Sequence, residues 1–240
     1  MNIQLAVKKI AKKLGIDLRA YHPSRSESAR LGRLLDHYGI DLVLDVGANS
    51  GQFVQYLRYV GYLGRFVCFE PLSAPYAQLE QLAAQDSRIV CATRMAIGDM
   101  DGEITVNVAA NLESSSVLKV LDRHLDAEPL ARTVGYETVP LRKLDTVTDN
   151  YLPNSSKPFL KIDVQGYEPQ VLAGAVDLLP KIAGLHLELS LTPLYEGERG
   201  FREMIDLVEQ EGFTLHDLNP CYSDSITGRT YQVDALFFRC

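Results

Sequence analysis

From Leu42 onward, short apolar runs alternate with stretches of helical period, and this alternation restricts the fold more than any other feature. Strands read at Leu42–Val46, Phe66–Phe69, Ile89–Ala92, Glu137–Leu141, Phe159–Val164 and Leu185–Leu189. Helices read at Phe53–Val60, Ala74–Ala84, Pro169–Leu179 and Phe201–Glu211. Strands separated by helices build βαβ units, whose parallel sheet carries helices on both faces. The last two strands, Phe213–Asp217 and Val233–Phe238, are joined by a loop at Asn219–Arg229 with no helix, so they pair antiparallel. Residues 40–240 are therefore expected to form one α/β domain, a Rossmann-like, mainly parallel seven-stranded sheet with a C-terminal antiparallel hairpin. A polar, serine-bearing insertion at 110–135 interrupts the alternation.

Residues 1–39 read as a separate N-terminal helical segment. Ile3, Val7, Ile10 and Leu14 share one helical stripe, and a second helix over Ser26–Tyr38 stops at Gly39. Residues 1–33 hold eight of the 24 basic residues but only Asp17 and Glu27 of the 31 acidic ones. The acidic remainder argues against a nucleic-acid partner, because phosphate binding needs a basic face. Lys8, Lys9, Lys12 and Lys13 stand where a signal peptide needs its apolar stretch. No apolar run approaches the ~18 residues of a membrane helix. The expectation is a soluble, cytoplasmic protein. Residues 1–14 fit two placements: a lid packed on the acidic body, which is favoured, or peripheral contact with an anionic membrane. Cys68, Cys91, Cys221 and Cys240 form no C-x-x-C pair and no zinc-like spacing. His22, His37, His124 and His216 form no i, i+4 pair and read as surface or packing residues.

In open α/β sheets ligands bind beyond the carboxyl ends of the strands. The first strand ends in Asp45-Val46-Gly47-Ala48-Asn49-Ser50-Gly51-Gln52-Phe53, a glycine turn that opens a helix. Its G-x-x-x-G spacing is not the G-x-G-x-x-G that seats a pyrophosphate. Asp45 would repel a phosphate and suits a cationic ligand; S-adenosylmethionine carries an ammonium and a sulfonium. Asp45, Gly47, Asn49, Gly51 and Phe53 are the expected cofactor contacts. Glu70 ends the second strand, where an acid accepts hydrogen bonds from ribose hydroxyls. Ala96-Ile97-Gly98-Asp99 falls where an adenine would lie, with Ala96 and Asp99 as its contacts.

The run Leu160–Glu168 breaks the rule that a central parallel strand is apolar on both faces. Lys161 and Asp163 share one face, and His186, Glu188 and Ser190 do the same in the next strand. Buried unpaired charge costs several kcal/mol, so such groups are paired, metal-bound or catalytic. Asn219-Pro220-Cys221-Tyr222 is similar to the N-P-P-Y run of amino-methylating enzymes, but its place in the last hairpin makes it a proline turn.

The runs at Asp45–Phe53 and Lys161–Glu168, with Leu144-Asp145 between and Glu188 after, closely resemble the FkbM-type S-adenosylmethionine-dependent methyltransferases over roughly residues 40–240. The Lys-Ile-Asp-Val-x-Gly-x-Glu run is the most specific part, and Gln165 stands where that family more often has Glu. The resemblance implies a class I methyltransferase fold and O-methylation of a hydroxyl on a sugar, glycolipid or polyketide-type acceptor. It names neither the acceptor nor a metal requirement. In this reading Asp163 and Glu188 serve as base or as ligands of a divalent cation (Mg or Mn). Lys161 sets their charge state, Glu168 supports them, and Asp163 also borders the cofactor. Ser114, Ser115, Ser116 and His186 form the acceptor wall. The rivals are an NAD-dependent oxidoreductase and a non-catalytic module that only binds S-adenosylmethionine.

Overall fold

The computed structural model describes residues 3–153 and 156–239. In chain order its elements are α1 (Ile3–Lys13), α2 (Glu27–Tyr38), β1 (Leu42–Val46), α3 (Gln52–Tyr59), β2 (Arg65–Phe69), α4 (Ser73–Ala83), β3 (Ile89–Cys91), β4 (Ala96–Ile97) and β5 (Gly102–Ala109). Then follow α5 (Asp122–Ala127), β6 (Thr133–Arg142), α6 (Leu144–Val147), β7 (Pro158–Ile162), α7 (Glu168–Ala173), β8 (Gly184–Ser190), α8 (Phe201–Gln210), β9 (Thr214–Ser223) and β10 (Thr230–Phe238).

A seven-stranded sheet runs in the order β3-β2-β1-β7-β8-β10-β9. All neighbours pair parallel except β10, which is antiparallel to both β8 and β9. Strand order reverses between β1 and β7, and that reversal opens a crevice at their carboxyl ends. This is the mainly parallel seven-stranded sheet with a C-terminal antiparallel hairpin that the alternation predicts, and the class I methyltransferase fold that the resemblance implies.

The alternation of side chains along β1 divides the core. Leu42, Leu44 and Val46 pack on one face with Val171 and Leu172 of α7 and Met204 and Val208 of α8. Val43 packs on the other with Leu31 and Leu35 of α2 and Val54 and Leu57 of α3. Asp45 shares the Val43 face by the period of two. The α2 helix is anchored further by Arg30, whose guanidinium donates to Asp217 at 2.6 Å and Asn219 at 2.8 Å.

Four departures from expectation stand out, and three have local causes. The strand read at 137–141 is part of β6 and belongs to a separate three-stranded sheet, β4-β6-β5. Its partner β5 alternates Ile104, Val106 and Val108 with polar residues, and Val106 joins Val139 and Leu141 over Leu72 and Ala96. The helix expected to reach Leu179 ends at Ala173. Gly174 there lies so close to the Gly98 carbonyl that a Cβ would stand 1.9 Å from its oxygen. Finally, Asn219–Tyr222 is not a loop but part of β9. This edge strand tolerates Pro220, and the pairing shifts register across Cys221.

The fourth departure concerns α1. Val7, Ile10 and Leu14 are 49%, 62% and 71% exposed, so their stripe is not packed on the body as a lid would require. Met1, Asn2 and the side chain of Ile3 lie outside the described residues. Among the described residues, no helix is long and apolar enough to cross a membrane.

Candidate active site

A cavity of about 410 Å³ opens at the strand-order reversal. Its floor is the β1 loop (Val46–Asn49) and the β7 end (Lys161–Gln165), and Phe53 and Tyr56 of α3 form one side. The opposite side is Glu70–Leu72 with Met95–Ile97, and the segment around Ser115 and Ser116 closes it.

The floor is built around one buried cation. Lys161 Nζ donates to the Gly47 carbonyl at 3.0 Å and stands 3.1 Å from Asp45 Oδ1 and 3.4 Å from Asp163 Oδ2. The Asp45 contact is an ion pair without hydrogen-bond alignment, because neither Asp45 oxygen has a hydrogen-bond partner. Burial alone would lower the Lys161 pKa, but the Asp45 and Asp163 carboxylates outweigh it and raise it above the usual lysine value. The cation also lies 5.7 Å from the Phe53 ring centroid. Asp45 itself is fully buried and outside the cavity lining, so it holds Lys161 rather than facing a ligand.

Glycine is required in the adjoining loop. Gly47 has φ +77°, and a Cβ on it would meet the Asp163 carbonyl oxygen at 1.8 Å. Asn49, at φ 47°, turns its own N–H onto Glu70 Oε2 at 2.8 Å. Leu72 N–H donates to the other Glu70 oxygen at 2.8 Å. Burial pushes the Glu70 carboxyl up to about 7 in spite of these two donors.

The second half of the site rests on Gln165 and Glu188. Gln165 Nε2 donates to Asp163 Oδ1 at 2.9 Å and to Glu188 Oε2 at 2.7 Å. Gln232 Nε2 donates to the same Glu188 oxygen at 2.7 Å, and Cys221 Sγ lies 3.6 Å from Oε1. Burial, then the nearby Asp163 and Asp234 charges, hold the Glu188 pKa well above the carboxylate range. Beside it His186 Nε2 lies 3.0 Å from Asp234 Oδ1, with its ring against Phe53 at 5.1 Å. Glu188, Cys221 and Asp234 offer ligand atoms within 4.8 Å of one another.

Of the residues singled out from sequence, Gly47, Asn49, Phe53, Glu70, Ala96, Lys161, Asp163, His186 and Glu188 line this cavity. Gly51 caps α3 beneath it at φ 87°. Four residues stand elsewhere, the first being Asp45, which is buried behind Lys161 and is not a cofactor contact. Asp99 is exposed beyond Gly98, because β4 pairs with β6 and carries the chain out of the cavity. Glu168 is buried outside the lining, and its Oε1 accepts Val164 N–H at 3.1 Å and Gly166 N–H at 3.2 Å. It caps the loop that carries Gln165. Ser114 lies behind the wall, with its carbonyl 3.0 Å from the Tyr195 hydroxyl. Ser115 and Ser116 do line the cavity, yet their hydroxyls are engaged with Ala109 N–H (2.9 Å) and the Gln165 carbonyl (2.7 Å). They shape the wall.

Gln165, Tyr195, Gln232 and Asp234 were not among the expected site residues. The last two carried a signal: Gln232 and Asp234 alternate as polar positions in an apolar strand, as Lys161 and Asp163 do.

A family profile described as Methyltransferase FkbM domain matches residues 45–215. The chain is 27% identical over 173 residues to the 2-O-methyltransferase NoeI of Sinorhizobium fredii (strain NBRC 101917 / NGR234), a match covering 70% of each chain. It is 27% identical over 198 residues to the methyltransferase sdnD of Sordaria araneosa, covering 72% of this chain and 73% of that one. Among solved structures, the magnesium protoporphyrin IX methyltransferase of Synechocystis PCC 6803 with bound SAM aligns at a TM-score of 0.46 and 11% identity, covering 92% of this chain and 80% of that chain.

The buried carboxyls set a pH dependence of stability. Burial raises Glu70 to about 7 and Glu168 to about 8, from an ordinary value of 4.5. Between 4.5 and those values the folded protein keeps protons that the unfolded chain has lost, so stability falls as pH rises through that window. Urea denaturation is expected to give a lower unfolding free energy at about pH 8.5 than at about pH 5.5, with a shallower slope in Glu168→Gln. An unchanged slope in that variant would remove Glu168 from the account.

Proposed function

Because the chain belongs to the FkbM methyltransferase domain family, we propose that it transfers a methyl group from S-adenosylmethionine to a hydroxyl of an uncharged sugar-type acceptor. The observation that carries this reading is the charge of the cavity. Glu113, Asp163 and Asp234 line it, Glu70 adds its charge once ionised, and burial keeps Glu188 protonated; among the described lining residues Lys161 is the one ammonium, and it is already paired with two carboxylates. Such a wall attracts a cationic cofactor and repels phosphates, which disfavours a nicotinamide dinucleotide. An acceptor bearing phosphate or carboxylate groups is disfavoured for the same reason. Oxygen as the methylated atom is supported by the relative named a 2-O-methyltransferase.

S-adenosylmethionine supplies a methyl group on a sulfonium, already a good electrophile when bound. The chain's part is to hold and deprotonate. Glu70 is oriented by two backbone donors, and each of its oxygens keeps a lone pair for a ribose hydroxyl. Asp163 is half-buried at the cavity, and its Oδ2 is the atom we assign to take the acceptor proton, with Lys161 stabilising its charge. His186, held by Asp234, borders the acceptor side.

Glu70 makes cofactor affinity depend on pH. With its carboxyl at about 7, affinity for S-adenosylmethionine should fall about ten-fold from pH 8 to pH 6, and Glu70→Gln should flatten that profile. Calorimetry at several pH values measures both.

Asp163→Asn keeps the volume and should cost at least about 100-fold in turnover while leaving cofactor affinity near wild type. Mass spectrometry of neutral and phosphorylated oligosaccharides, incubated with labelled cofactor, reads transfer directly. Near-normal turnover in the variant rejects Asp163 as the base, and cofactor binding without transfer to any acceptor favours a non-catalytic module.

A lipid-linked acceptor would suit the exposed α1 stripe. Lys8, Lys9, Lys12 and Lys13 flank Val7, Ile10 and Leu14, a charge complement to anionic lipid at about 1 kcal/mol per lysine. Deleting residues 1–14 should abolish salt-sensitive sedimentation with phosphatidylserine vesicles and leave thermal stability unchanged. Undiminished sedimentation would reject this contact.

A further inference from the structure

We propose that the side-chain amide of Gln165 takes the place of a divalent cation between Asp163 and Glu188, so that this chain holds its two strand-end carboxylates together without a metal. The two side chains are held in this way whichever acceptor is used.

Three features of Gln165 carry it. The first is the donor geometry. Nε2 reaches Asp163 Oδ1 at 2.9 Å and Glu188 Oε2 at 2.7 Å, so the two amide hydrogens serve one carboxylate each. A bridging Mg²⁺ would need oxygens about 2.0–2.1 Å away at the point where this NH₂ group stands. The second is the orientation of the amide. Gln165 Oε1 accepts from the Tyr195 hydroxyl at 2.8 Å, and a flipped amide would aim its oxygen at the Asp163 carboxylate and leave that Oδ1 without its amide donor. The third is the backbone. Gln165 is a non-glycine residue at φ 56°, a strained conformation that persists only where its surroundings enforce it. Ser116 Oγ enforces it by donating to the Gln165 carbonyl at 2.7 Å, and Glu168 caps the residues on either side.

Glu188 is also committed apart from Gln165. Gln232 Nε2 donates to Oε2, and Cys221 approaches Oε1. The pair therefore answers to two neutral amides and to the Lys161 ammonium on the Asp163 side, a set of donors with no ligand position shared between Asp163 and Glu188. The same geometry predicts its reversal. Gln165→Glu would put a third carboxylate between the first two, and three converging carboxylates are an oxygen site for Mg²⁺ or Mn²⁺.

The test is MnCl₂ titration of the full chain, followed by electron paramagnetic resonance and calorimetry, with S-adenosylhomocysteine present throughout. Wild type, Asp163→Asn, Gln165→Glu and the double variant Gln165→Glu/Asp163→Asn are compared, with folding checked by thermal melts. The expected result is no Asp163-dependent Mn²⁺ site in wild type. Folded Gln165→Glu should gain one site per chain and lose it again in the double variant. A wild-type Mn²⁺ site that disappears in Asp163→Asn would overturn the proposal. So would a folded Gln165→Glu protein that binds no Mn²⁺. The wild-type comparison decides the matter even where Gln165→Glu does not fold.

Discussion

The Lys161 ammonium is the interaction on which the rest of the site depends. It sits where the ends of β1 and β7 meet, between Asp45 and Asp163, and it donates to the Gly47 carbonyl. Losing one partner of a buried ion pair costs about 3–5 kcal/mol, because the other charge stays behind uncompensated. Asp45 is in that position: fully buried and without a hydrogen bond of its own. The loop above leaves no room for an alternative, since the Gly47 backbone almost touches the Asp163 carbonyl. Charge pairing below and close backbone contact above fix the same few atoms.

Around this centre the polar residues divide into those that face the cavity and those that hold the facing ones. Asp163, Glu70, His186 and Glu188 border the cavity. Asp45, Glu168 and Ser114 stand behind them, and each contacts a group that shapes the wall. Tyr195 joins the two sets, because the single hydrogen of its buried hydroxyl is shared between two acceptors, the Ser114 carbonyl and the Gln165 amide oxygen. The segment that closes the cavity is thereby bonded to the strand ends.

The main sheet was legible in the sequence because a buried parallel strand must be continuously apolar, and helical stretches separate such runs along this chain. The site was legible for a related reason: Lys161, His186 and Glu188 interrupt apolar strands at a period of two, and only a strand-end cluster accounts for them. Roles were less legible than places. Whether Glu168 faces the cavity depends on the left-handed turn at Gln165 and Gly166, and no periodicity encodes that turn. Tyr195 lies in an irregular segment, so nothing in its neighbours' spacing marks it. Pro220 points to a turn, but an edge strand tolerates a proline because alternate N–H groups face away from its one neighbour. Asp99 lies at the distance along the chain that suits an adenine contact, but pairing of β4 with the small sheet carries it away.

The acidic lining of the cavity also bears on how a turnover ends. A sulfonium donor enters with a positive charge on sulfur and leaves as a neutral thioether. Carboxylates that draw the donor in therefore have less hold on the spent one. No part of the wall has to move for this exchange, because the ligand changes its charge and the protein does not. Discrimination between fresh and used cofactor is then a property of the resting electrostatic field, and it weakens as salt screens that field.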